Sequence, residues 1–65
     1  MQVKHVIQWV KDIEEIKGDD EAAHAKEDRI YKAVLNAIAD GHPDAQELAR
    51  EALKASKIDF ARWCA

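Results

Sequence analysis

Gly18, Gly41 and Pro43 are the only glycines and the only proline in this chain. A sheet-rich domain needs many more turn residues, so their scarcity excludes an all-β chain and leaves three long segments, each of which has to run on as one element. In the first, Val3, Val6, Ile7, Val10 and Ile13 share one arc of a helical wheel, with Trp9 and Ile16 at its edge. The β-branched residues make a strand the competing reading. The three-residue steps nevertheless continue through Ile13 and Ile16 past Glu14 and Glu15, which strands disfavour.

The spacing therefore predicts a helix over Val3 to Lys17, ended by Gly18 in a left-handed stop, with Asp19 or Asp20 capping the next helix at once. Helix two should run from Asp20 to Asp40 and bury Ile30, Tyr31, Val34, Leu35 and Ile38. Its first two turns carry only alanines as apolar residues, so they are expected to fray or project from the core. Gly41 stops helix two, and Pro43 suits the first turn of helix three, Asp44 to Ser56, which places Ala45, Leu48, Ala49, Ala52, Leu53 and Ser56 on one face. That alanine-rich face predicts close approach to a neighbouring helix. The tail, Lys57 to Ala65, reads as a short helix capped by Asp59 or Ser56 and folded back on the bundle. The expected fold class is all-α, a small bundle of three main helices plus a short C-terminal helix, with residues 1–65 forming a single helical domain.

Composition narrows function by exclusion. At 65 residues the core must be thin, and of 31 apolar residues twelve are alanines, leaving nineteen larger ones. A single cysteine, Cys64, permits no internal disulfide, and with three scattered histidines it makes no structural zinc frame. The run Met1 to Val10 is broken by Gln2, Lys4, His5 and Gln8, so neither a signal-like apolar region nor a membrane span is expected, and the expected location is the cytoplasm. Ten basic against thirteen acidic residues give a charge of −3, which disfavours a phosphate-binding role.

Glu27-Asp28-Arg29-Ile30-Tyr31-Lys32-Ala33-Val34-Leu35, followed by the ending Ile58-Asp59-Phe60-Ala61-Arg62-Trp63-Cys64-Ala65, resembles small uncharacterised helical proteins encoded by bacteriophages and prophages. The resemblance lies in those two stretches and contains no catalytic motif. It implies a bacterial host cytoplasm and an accessory role.

Glu21, His24 and Asp28 lie on one side of helix two, as in carboxylate-bridged di-iron bundles, but those require a second Glu-x-x-His pair and further carboxylates. A solvated helix start accounts for them, and neither a metal nor any other cofactor is expected. Ala37-x-x-x-Gly41 with Arg50, Lys54 and Lys57 imitates a helix-turn-helix. From Gly41 to Ala65, however, four basic residues meet four acidic ones, so no basic face forms. Between Asp12 and Glu21 six acidic residues, Asp12, Glu14, Glu15, Asp19, Asp20 and Glu21, meet one lysine, a local charge of −5. Helix capping explains the last three. The others sit where the helix dipole disfavours them, so an acidic patch for a basic host protein is a candidate function.

A second stripe, His5, Trp9, Asp12 and Ile16, flanks the core arc of helix one, and Phe60 and Trp63 add two rings in the tail. Each can either fill the core or anchor a partner. Glu27 falls on the apolar arc of helix two and is expected just beyond the core. Cys64 has no accompanying catalytic arrangement, and a bundle this small has little room for a reaction pocket, so the chain is not expected to be an enzyme. The leading expectation is a small accessory or regulatory protein that acts by protein-protein binding, with a nucleic-acid-binding regulator built on a degenerate helix-turn-helix as the alternative. Leftover apolar surface on helix one and the tail further predicts a homodimer, with Trp9 as the first contact and Trp63 as the second.

Overall fold

The structure is a computed structural model that describes residues 1–62; Trp63, Cys64 and Ala65 lie outside the described residues. It is an all-α bundle of three helices, α1 (Val3–Ile16), α2 (Asp20–Ala39) and α3 (Ala45–Leu53), with a 3-10 turn over Lys54–Lys57 continuing α3. Each helix packs on the other two. No strand occurs among the described residues, and none of their helices is long and apolar enough to cross a membrane.

Helix α1 ends at Ile16 without the expected left-handed residue. Gly18 has no positive φ, and the turn is closed by the Asp19 N–H donating to the Ile16 carbonyl at 2.9 Å. Asp19 then caps α2, its carboxylate accepting from the Ala22 N–H at 3.1 Å, while Asp20 and Glu21 favour the positive end of the helix dipole. Gly41 behaves as expected. Its φ of +83° allows the Gly41 and His42 N–H groups to turn back onto the carbonyls of Ile38 and Ala37, at 3.0 and 3.1 Å, which satisfies two orphan acceptors. Pro43 sits one residue earlier than expected, inside the turn closed by the Ala45 N–H on the His42 carbonyl, and Asp44 is the residue that precedes α3. His42 fastens the chain start to this turn: its Nδ1 accepts from the Asp44 N–H at 3.0 Å, leaving the Nε2 proton to face the Met1 carbonyl at 2.7 Å.

Val6 and Ile13 from α1 and Leu48 from α3 are fully buried, and Ile30, Val34, Ala52 and Ala55 close around them. Burying each of the larger side chains contributes about 1.5 to 3 kcal/mol. Ile7 of the α1 arc is 37% exposed at the edge of the core, and two further residues expected in the core lie outside it: Leu35 is 65% exposed and Leu53 is 60% exposed. Both belong to broad apolar arcs, and the adjoining helices cover only the inner edges of those arcs. Among the alanines of α3, Ala52 is buried, as close approach requires, whereas Ala49 is only half-buried and lines an open groove.

The tail departs most from expectation. The short C-terminal helical piece lies at Lys54–Lys57, and residues 58–62, where the spacing predicts the tail helix, are not helical. Ile58, at φ −74° and ψ 130°, turns the chain into an extended path. The physical reason is the period of the sequence: Ile58 and Phe60 alternate with exposed Lys57 and Asp59, so two apolar side chains reach the core with a repeat of two that a helix could not give. The tail does fold back onto the first turns of α2, which are helical from Asp20 and pack on the bundle through the buried Ala23. The Ala61 N–H donates to the Asp20 carboxylate at 3.2 Å, Arg62 reaches Glu27, and Ala23 between those two anchor points is fully buried.

Candidate functional site

Two features stand out, a polar clasp inside the bundle and an apolar groove on its surface. The clasp centres on Glu27, only 3% exposed rather than just beyond the core as the cost of burying a lone carboxylate suggests. Its two carboxylate oxygens accept from Arg62 Nε at 3.0 Å and a terminal guanidinium nitrogen at 3.1 Å, a two-pronged pairing. The Tyr31 hydroxyl donates to the same carboxylate at 3.0 Å. Arg62 also donates to the carbonyls of Ala55 and Ile58, both at 3.0 Å, and of Phe60 at 3.3 Å, while its guanidinium carbon stands 3.9 Å from the centre of the Phe60 ring. The charge is thus neutralised and the polar atoms are used, as a buried carboxylate requires.

This arrangement moves two pKa values. The hydrogen bond to Glu27 raises that of Arg62, so the guanidinium stays charged. Burial first, and then the hydrogen bond to the Glu27 carboxylate, push the Tyr31 phenol up from 10.0 to about 12. A raised phenol pKa means that the associated stability is complete below pH 10 and is lost as pH rises through about 12. Tyr31 is the sole tyrosine, so the near-ultraviolet absorbance of its phenolate reports it directly. The expected native-state midpoint is near 12, falling towards the ordinary value in Glu27→Gln; a parent midpoint at 10 would contradict the buried hydrogen bond.

The groove runs between α2 and α3. Tyr31, Val34, Leu35 and Ile38 form one wall and Ala49, Ala52 and Leu53 the other, enclosing about 460 Å³. Leu35 and Leu53 are its outer lips, and the polar atom its walls carry, the Tyr31 hydroxyl, is already held by Glu27. The groove can accept apolar side chains, and the groove walls bring no nucleophile or general base into it.

The stripe on α1 is brought together as a face. His5 stacks on Trp9 with ring centres 6.2 Å apart, and its Nδ1 accepts from the Gln2 N–H at 3.2 Å. Trp9 is half-buried against α2, where it joins Lys26, Arg29, Ile30 and Ala33 around a shallow cleft. Asp12 accepts from the Gln8 amide at 3.0 Å and lies 4.0 Å from Lys26, and Ile16 is exposed at the far end. Phe60 is not with them on the surface; it is 8% exposed and belongs to the core. Trp63 lies outside the described residues.

The acidic patch is divided among local tasks. Glu14 pairs with Lys17 at 2.8 Å and raises its pKa, Asp19 caps α2 and Asp20 holds the tail, while Glu15 and Glu21 are exposed. Along α2, His24 Nδ1 stands 3.7 Å from Asp28, and no three potential ligands converge on a metal position among the described residues. Lys54 is paired with Glu51 at 2.9 Å, which removes one cation from the imitation of a recognition helix. No family model, curated protein or solved structure matches the chain.

Leu35 and Leu53 continue apolar arcs, which hides the groove in the sequence, and the role of Arg62 is hidden by its distance along the chain from Glu27. A signal for Arg62 was present: Glu27 on an apolar arc needs a cation, and Arg62 follows the inward-facing Ile58 and Phe60 by the same two-residue step.

Proposed function

We propose that the chain is a small non-enzymatic accessory or regulatory protein, of phage origin, that works in a bacterial cytoplasm by binding another protein. The observation that carries this reading is the open apolar groove between α2 and α3 with two largely exposed leucines as its lips. A contiguous apolar patch left open to solvent is the kind of surface that marks a protein contact. The resemblance of residues 27–35 and 58–65 to phage and prophage proteins supports the origin.

Leu35→Asp combined with Leu53→Asp tests this reading. Both positions are exposed, so circular dichroism should be unchanged. Since each buried leucine contributes about 1.5 to 3 kcal/mol, a protein retained from bacterial lysate by the parent should be retained at least about tenfold less by the variant. Identical retained sets would refute the groove as the contact.

A further inference from the structure

We infer that the start of the chain is a latch that uncharged imidazoles hold closed and that protonation opens. The Met1 carbonyl and the Gln2 N–H belong to one trans peptide group and point to opposite sides of it. A histidine grips each side. His42 Nε2 donates to the Met1 carbonyl at 2.7 Å, and His5 Nδ1 accepts from the Gln2 N–H at 3.2 Å, the same reach back to the residue before the helix that a glutamate makes in a capping box. The His42 bond is the one hydrogen bond among the described residues that joins residues 1–2 to another part of the bundle, the turn between α2 and α3. The latch shares no residue with the apolar groove and works whatever protein the groove binds.

Both grips need an uncharged ring. An imidazole nitrogen that accepts a hydrogen bond carries no proton, and in an imidazolium both nitrogens are donors. A proton on His5 Nδ1 would therefore face the Gln2 N–H donor to donor, and it would set a positive charge in the first turn of α1, where the helix dipole disfavours it. His42 fails one step removed. Its Nδ1 accepts from the Asp44 N–H at 3.0 Å, so a proton there removes the bond that aims Nε2 at Met1. The charged groups on the surrounding elements are the Met1 amino group and Lys4 on the chain start, Asp40 at the end of α2, and Asp44 and Glu47 at the start of α3. Among the described residues no carboxylate lies within 4.0 Å of either ring, so a proton gains no ion pair in exchange. His24 differs, since Asp28 stands 3.7 Å from its Nδ1 and a proton there gains a partner. Histidine is the side chain that changes charge between about pH 8 and about pH 5, so the bonds of the neutral rings are present at the upper limit and lost towards the lower.

Nitrogen-15 resonances of the histidine rings and of the backbone, recorded from about pH 8 to about pH 5, test the latch. At the upper limit both His5 and His42 are expected to carry their proton on Nε2, with the backbone order parameter of Gln2 near the rigid value of about 0.85. At the lower limit that order parameter should fall below about 0.6, while the amide signals of Gln2 and Asp44 move in step with the rings of His5 and His42. His5→Ala combined with His42→Ala should leave Gln2 mobile at both limits, with circular dichroism unchanged because neither ring belongs to the core. His24→Ala should keep the parent's response. A proton on Nδ1 of either ring at the upper limit would overturn the latch without recourse to any variant. So would a Gln2 order parameter that stays high at the lower limit, or one that is already low at the upper. A parent-like response in the double variant would assign the change to another group and overturn the latch as well.

Discussion

Arg62→Ala is expected to cost about 3 kcal/mol of folding stability, the low end of what removing one member of a buried ion pair costs, because Arg62 keeps one-third of its side chain exposed. A domain this small holds only about 3 to 5 kcal/mol in total, so the variant should sit at the edge of unfolding. The loss has two parts. Glu27 would be left buried with a charge answered only by the Tyr31 hydroxyl, and the carbonyls of Ala55, Ile58 and Phe60 would lose their shared donor. Arg62→Lys should recover part of the charge effect but not the two-pronged geometry. Glu27→Leu combined with Arg62→Met should lose less than the two single changes together, since no lone charge remains inside. Urea denaturation of the parent, these three variants and the two single changes measures this, and a parent and Arg62→Ala pair within about 0.5 kcal/mol of each other would show that the clasp is ornamental.

The second large effect separates leucines that look equivalent in the sequence. Leu48→Ala should cost about 2 to 5 kcal/mol, because Leu48 is fully buried where all three helices meet and a core this thin cannot close the cavity. Leu53→Ala and Leu35→Ala should each fall within about 0.5 kcal/mol of the parent, since both side chains are mostly in solvent already. Thermal melts followed by circular dichroism read the contrast directly. A similar loss at Leu53 and Leu48 would mean that the arc of α3 is buried as a whole and that no groove exists.

The three helices were legible because each rests on a local rule. The apolar steps of α1 and α2 follow the helical period, Asp19 is a capping residue followed by acids, and Gly41 occupies the one turn that requires a positive φ. Gly18 shows how such a rule overreaches, because a glycine at a helix end need not be left-handed when the turn is closed by another bond. What periodicity could not show was how much of each arc its neighbours cover. Leu35 and Leu53 continue their arcs faultlessly, and only the packing of α2 against α3 decides that they stay outside.

The alanines at the start of α2 were misleading for a related reason. They read as an absence of core, whereas Ala23 is fully buried between Asp20 and Glu27, the two points where the tail is anchored. The clasp escaped notice because Glu27 and Arg62 are 35 residues apart and belong to segments of different period. Of the proposed contact residues, the α1 stripe is assembled on one face as its spacing of four, three and four implied, while Phe60 is taken up by the core.

The chain has three leucines, which makes the openness of the groove directly measurable. In a leucine-methyl-labelled sample at micromolar concentration, a soluble paramagnetic agent should broaden the methyl signals of Leu35 and Leu53 strongly and leave those of Leu48 sharp. Protection of all three, or broadening of Leu48 alongside the others, would contradict an apolar groove held open between α2 and α3.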